Sequence, residues 1–117
     1  MDQIDAILAL SALGQPTRLE TFRLLVRREP EGVPVGDLAR AMSAPQNTMS
    51  AHLAVLARAG LVRGERRSRS ILYRADIERF RALVGFLLTD CCAGRTELCA
   101  PLLDDLVSCK TTKEACE

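Results

Sequence analysis

Five cysteines stand at positions 91, 92, 99, 109 and 116 of this 117-residue chain. Three of them fall in one run, Asp90-Cys91-Cys92-Ala93-Gly94-Arg95-Thr96-Glu97-Leu98-Cys99. A disulfide framework spreads its cysteines through a fold and normally uses an even number. Free thiols in a reducing compartment, or a soft-ion site, fit this pattern better. Successive helical residues point about 100° apart. Cys91 and Cys92 therefore aim both sulfurs at one atom only from a fraying helix end. Gly94 supplies that end and lets the chain reverse to bring Cys99 back. Three thiolates displace three hydroxides from arsenite or antimonite and leave a neutral unit that burial does not penalise. Zn²⁺ on three thiolates would be anionic and would lack its tetrahedral fourth ligand. Cys109 could supply that ligand, so zinc stays open. The plainer reading of Cys109 and Cys116 is tail thiols without a role, and incidental thiols are the plainer reading of the triplet.

A second set of residues suits nucleic acid. Gln46 and Asn47 carry amides that pair with adenine edges, Thr48 and Ser50 carry hydroxyls for bases or phosphates, and His52 can reach phosphate. Ordinary capping is the alternative for Gln46 and Asn47, and half-buried packing for His52. The net charge of the chain is only +1, which argues against coating DNA or anionic membrane by bulk charge. The distribution is more telling. Residues 58–81 hold eight Arg against Glu65, Asp76 and Glu78, a net +5, while residues 89–117 sum to −3. Arg prefers planar, bidentate contact with phosphate or guanine. Arg66, Arg67 and Arg69 are the candidates for a DNA backbone or minor groove. A solvated, ion-paired surface is the other reading of the same arginines.

These side chains need elements to hold them. Ile4, Ile7 and Leu8 form a helical stripe, but Ala6, Ala9, Leu10, Ala12 and Leu13 leave little polar face. Such a helix needs cover from several directions. Gly14 ends it, and Pro16 opens a second helix with Leu19, Phe22, Leu25 and Val26 inward and Arg18, Arg23 and Arg27 outward. Residues 30–34 read as a loop. Val35, Leu38, Ala39 and Met42 mark a two-turn helix. After Ser43-Ala44-Pro45 a further helix runs to about Ala59, with Met49, Leu53 and Leu56 inward and Gly60 as its stop. Ser43 or Ala44 is expected near its cap. Residues 61–67 and 70–75 form two strands around Ser68-Arg69, a weaker hairpin turn than Asn-Gly. Asp76 caps a last helix of about four turns carrying Ile77, Phe80, Leu83, Val84, Leu87 and Leu88. With four aromatics in the whole chain, the core must be aliphatic.

Two short helices across a tight turn, followed by an Arg-rich hairpin, predict a winged helix-turn-helix. The class is mainly α (α+β), with about five helices and a two-stranded β-hairpin wing. Residues 1–92 form the DNA-binding and dimerisation domain and 93–117 a cysteine-containing tail. The second helix of the pair would lie in a major groove with Gln46, Asn47, Thr48 and Ser50 near base edges.

Val35-Gly36-Asp37-Leu38-Ala39, then Pro45-Gln46-Asn47-Thr48-Met49-Ser50-Ala51-His52-Leu53-Ala54-Val55-Leu56 and Ala59-Gly60-Leu61-Val62, resemble the ArsR/SmtB family of metalloregulatory repressors. Leu13-Gly14-Gln15-Pro16-Thr17-Arg18-Leu19 resembles the start of that family's second helix. The likeness spans about residues 4–90. It implies a cytoplasmic homodimer, joined through first and last helices, that binds double-stranded operator DNA and leaves it when an effector binds. The family's Cys-Val-Cys arsenic pattern would fall near Val35 to Asp37, where there is no Cys. Its zinc pattern fails too, because the last helix has no His. What remains resembles the arsenic-responsive subgroup with a vicinal Cys pair and a third Cys just past the last helix, which implies Cys91, Cys92 and Cys99 as the As(III) or Sb(III) ligands.

The leading expectation is thus an arsenite- or antimonite-released repressor. A redox- or sulfide-sensing, or Zn/Cd-sensing, repressor of the same fold is the alternative. A thiol enzyme or arsenic carrier fits poorly, since no general base accompanies the thiols and there is no Cys-x-x-Cys or phosphate loop. No catalytic cofactor is expected. No run reaches the roughly 18 apolar residues of a membrane span, and the first residues lack the basic leader of a secretory signal.

Overall fold

The computed structural model describes residues 1–92, with side chains through Thr89. The elements run α1 (Gln3–Leu13), α2 (Pro16–Arg27), β1 (Val33–Pro34), α3 (Val35–Ala41), α4 (Gln46–Arg58), β2 (Val62–Arg67), β3 (Ser70–Ala75) and α5 (Ile77–Cys92). This is a winged helix-turn-helix, mainly α with a β wing. Met1–Leu83 form one compact unit, and a second begins at Val84. Among the described residues no helix is long and apolar enough to cross a membrane.

The core of the first unit is aliphatic, as the composition requires. Leu25, Leu38, Met49, Leu53, Leu56, Leu61, Val62 and Leu83 are fully buried. Phe22 adds a ring against Phe80, with centroids 5.3 Å apart, and so joins α2 to the start of α5. The one buried polar side chain among the described residues, Thr21, donates from Oγ1 to the Thr17 carbonyl at 2.7 Å and is satisfied within its own helix.

The helix ends explain why α3 and α4 stop where they do. Ser43, at φ 52°, follows the last residues of α3. It lets Ala44 N–H reach the Ala39 carbonyl (2.9 Å) and Ser43 N–H reach Arg40 (3.2 Å), the double bond of a Schellman end. Ser43 therefore closes α3 rather than capping α4, whose N-cap position is Pro45 with no side-chain cap. Gly60, at φ 81°, repeats the device after α4, where Leu61 N–H meets the Leu56 carbonyl at 3.0 Å. Leu56 and Leu61 are both buried, the apolar contact that accompanies this motif. Asp76 Oδ1 accepts from Arg79 N–H at 3.0 Å and caps α5 as expected.

Four further expectations are corrected. The two-stranded hairpin β2–β3 is present as expected, but a third antiparallel strand joins it, in the order β1-β3-β2. Val33 pairs with Tyr73 and Pro34 with Leu72, so part of the loop after α2 is a strand. Gly32, at φ 81°, permits this. A Cβ there would lie 2.8 Å from the Tyr73 carbonyl oxygen. On α2, Phe22 and Leu25 are buried, but Leu19 and Val26 are 41% and 38% exposed. Arg18 does not face out; it is half-buried and bonded to α1. The turn between α3 and α4 spans residues 42–45, four residues rather than three.

α1 resolves its ambiguous pattern in an unexpected sense. Its alanines, Ala6, Ala9 and Ala12, are buried, which lets the helix approach its neighbours closely. Its large side chains stay outside: Ile4 is 72% exposed, Ile7 56%, and Leu8 and Leu10 44% each.

Candidate nucleic-acid interface

α4 is anchored from within. Met49, Leu53 and Leu56 are completely buried at i, i+4 and i+7, so the opposite side is fixed toward solvent. Gln46, Asn47, Thr48 and Ser50 are all exposed there, in the first turn and a half. Asn47 Oδ1 accepts from Thr48 N–H at 2.9 Å. The first-turn role considered for Asn47 is thus present, and it leaves the side-chain NH₂ as a donor. No acidic residue stands in the first turn, so the positive end of the helix dipole is uncompensated and suits an anion. His52 is half-buried, with Nδ1 3.4 Å from Arg18 Nη1.

The wing divides its charges by strand face. Directly paired residues of β2 and β3 share a face. Arg63, Glu65 and Arg67 sit opposite Arg74, Leu72 and Ser70. On this face the charges neutralise each other. Glu65 pairs with Arg67 at 3.4 Å and with Arg74 at 3.7 Å, and Arg74 continues to Glu29 at 3.2 Å. The Arg74–Glu29 contact is two-pronged, with Nε on Oε1 at 3.3 Å and Nη2 on Oε2 at 3.2 Å. That hydrogen bonding, reinforced by the carboxylate's charge, raises Arg74 above the ordinary guanidinium value. The other face carries Val62, Gly64 and Arg66 opposite Ala75, Tyr73 and Ile71. A Cβ on Gly64 would lie 3.0 Å from the Tyr73 ring, so glycine makes room for the aromatic side chain across the ladder.

Arg66 and Arg69 are exposed and, among the described residues, form no ion pair; Arg67 is exposed but leans on Glu65. The turn between the strands places Ser68 at φ 55°. The structure thus brings two sets of sequence-predicted residues to the surface: the first turns of α4, and the end of the hairpin. It separates Arg66 and Arg69 from the paired arginines, a division the sequence count of eight Arg does not show.

Among the residues that sequence reasoning missed, Arg18 is the notable one. A signal existed. Gly14 ends α1 two residues before Pro16 starts α2, so the last carbonyls of α1 need donors and Arg18 is within side-chain reach.

Cys91 and Cys92 are the last two residues of α5. Their side chains, and Cys99, Cys109 and Cys116, lie outside the described residues, as does the stop expected at Gly94. Among the described residues no group of three His, Cys, Asp or Glu side chains could hold a metal ion.

Residues 13–65 match the family model described as a helix-turn-helix domain. The chain is 45% identical over 64 residues to the HTH-type transcriptional regulator NmtR of Mycobacterium tuberculosis, a match that covers 55% of this chain and about half (51%) of that relative. Among solved structures it is similar to a possible transcriptional regulator for arsenical resistance, with 31% identity, TM-score 0.58, and coverage of 68% of this chain and 83% of the other. It also shares its fold with the homodimeric winged helix-turn-helix DNA-binding domain of a possible ArsR-family transcriptional regulator from Mycobacterium bovis, with 23% identity, TM-score 0.61, and coverage of 76% and 81%.

Proposed function

The chain belongs to the ArsR-type winged helix-turn-helix transcriptional regulators, and from that premise we infer that it is a homodimeric repressor released from operator DNA by trivalent arsenic or antimony. The observation that carries the DNA half is the exposed polar start of α4 together with Arg66 and Arg69, which have no acidic partner among the described residues. An ion-paired surface would have neutralised those arginines; here the pairing is confined to the opposite face of the wing. Gln46, Asn47, Thr48 and Ser50 read base edges, while His52, Arg66, Arg67 and Arg69 hold phosphate or the minor groove.

The dimer half rests on α1. Four large aliphatic side chains on one 11-residue helix are exposed while its alanines are buried. Clustered exposed apolar surface of that kind is covered by another chain, and a structural neighbour is described as homodimeric. Two copies place two recognition helices on one duplex, with half-sites about one helical turn apart.

The effector half rests on the sequence of residues 90–99 and on the likeness to a possible regulator for arsenical resistance. The binding step balances without a redox change. The thiols of Cys91, Cys92 and Cys99 form three As–S bonds to As(OH)₃. Three As–OH bonds break, and each hydroxide leaves with a thiol proton as water. Binding that favours the DNA-incompetent dimer then lowers operator affinity.

Two measurements test this reading. Under strict reduction, one arsenite per chain is expected to release a duplex selected by the protein from a random pool. X-ray absorption is expected to count three sulfurs around arsenic in the wild type and fewer in Cys91→Ser, Cys92→Ser and Cys99→Ser. Undiminished arsenite response in all three variants would refute the ligand set. A cadmium–thiolate band that requires Cys109 would favour the divalent reading. Disulfide formation with loss of binding would favour a redox sensor.

A further inference from the structure

Arg18 is turned inward by two hydrogen bonds. Its Nε–H donates to the Ala12 carbonyl at 2.7 Å. That carbonyl lies in the last turn of α1, where the helix supplies no amide of its own, and a cation there also complements the negative helix end. The backbone N–H of Arg18 is held by Gln15 Oε1 at 2.8 Å, which fixes the first turn of α2. From that braced position Nη1 reaches Nδ1 of His52 on α4, 3.4 Å away. A guanidinium has donors and no acceptor, so Nδ1 must accept and the ring proton of a neutral His52 sits on Nε2. The bond to Ala12 is short and the bond to His52 long. The end of α1 therefore sets Arg18, and Arg18 sets the ring.

We propose that Arg18 is a positioning residue for DNA binding: braced on the end of α1, it holds His52 so that Nε2–H is the ring's donor for a phosphate oxygen of the duplex. A ring without this partner exchanges its proton between the two nitrogens and rotates freely, and loses both the orientation and the donor. The step from ring to phosphate rests on the repressor reading; the hold of Arg18 on the ring does not.

His52 is the chain's single histidine, so its ring nitrogens are read without ambiguity. In mildly alkaline buffer without DNA, long-range ¹H–¹⁵N spectra of the wild type are expected to show Nδ1 bare and Nε2 protonated. In Arg18→Met the two nitrogen signals should move toward the averaged positions of a free imidazole. Against the selected duplex, Arg18→Met and His52→Ala are each expected to weaken binding by about tenfold, and the double variant no more than either alone. Arg18→Lys, which keeps a donor, should fall between. If Arg18→Met lowers the melting temperature, Arg18→Gln, whose amide can still meet the Ala12 carbonyl, takes its place. A protonated Nδ1 in the wild type, or ring signals unmoved in the Arg18 variant, overturns the proposal. So do losses that multiply to about a hundredfold in the double variant, because Arg18 then acts through contacts of its own. A wild type that retains no duplex at low salt refutes the repressor reading instead, and the ring spectra still decide the hold on His52.

Discussion

α1 and α4 are helices of similar length, 11 and 13 residues, built on opposite plans. α4 buries Met49, Leu53 and Leu56 and turns amides and hydroxyls outward. α1 buries three alanines and turns Ile4, Ile7, Leu8 and Leu10 outward. Which side chains a helix spends on its own fold decides what it offers outside. Large aliphatics spent inward anchor α4 firmly and leave a polar face that suits hydrated phosphates and base edges. Alanines spent inward dock α1 closely but weakly, and leave an apolar face that suits another protein surface.

The largest expected effect lies inside α4. Leu53→Ala removes a completely buried side chain and is expected to cost about 3 kcal/mol of unfolding free energy, read from urea denaturation. An unchanged midpoint would mean that α4 is not held as described. Ile7→Asp should leave the helical far-ultraviolet spectrum intact, because that side chain is 56% exposed. It should raise the dimer dissociation constant about a hundredfold, since each copy would bury a charge in the apolar contact. Sedimentation velocity reads this, and a persisting dimer would move the interface away from α1. Arg66→Ala should weaken duplex binding about tenfold and lower the slope of log K against log salt by about one. Arg63→Ala, whose side chain lies 3.8 Å from Asp76, should change that slope less. Equal slopes would erase the distinction between the two faces of the wing. The smallest effect on the fold belongs to Ser50→Ala, exposed on the outer side of α4, with a change under about 0.5 kcal/mol in stability but a measurable loss of duplex affinity.

Sequence periodicity read α3 and α4 well because each has one large apolar stripe and one polar side; of the six apolar positions it gave α5, only Leu83 is buried and Leu87 is exposed. It placed Met49, Leu53 and Leu56 inward and Gly60 at the stop, as the structure has them. Periodicity was silent where both sides of a helix are apolar. In α1 it could not show that alanines rather than isoleucines face inward, since that choice depends on how closely α2 and α4 pack. On α2 it placed Leu19 and Val26 with the core, though only Phe22 and Leu25 reach it. Arg18 was read as outward because charge was weighed without the reach of its stem, which lets the head meet a carbonyl inside. β1 left no pattern because two residues, one of them Pro34, are too short for an alternation. Of the candidate site, the exposed positions on α4 and the wing were legible as a set. Which arginines are neutralised was not, since it depends on the pairing of β2 with β3 and on Glu29, distant in sequence.

β3 has a mechanical consequence. It is six residues long, about 17 Å end to end, and the pairing with β1 grips it at Leu72 and Tyr73, its middle. One end, Ser70, adjoins the wing turn. The other, Ala75, leads directly into Asp76, whose N–H is fixed to the Leu61 carbonyl at 2.8 Å. β2 pairs with β3 along its whole length, from Ala75 to Ser70, so the two strands form one ribbon with its root at α5 and its tip at the wing turn. A shift imposed where α5 begins would be carried along that ribbon to the tip.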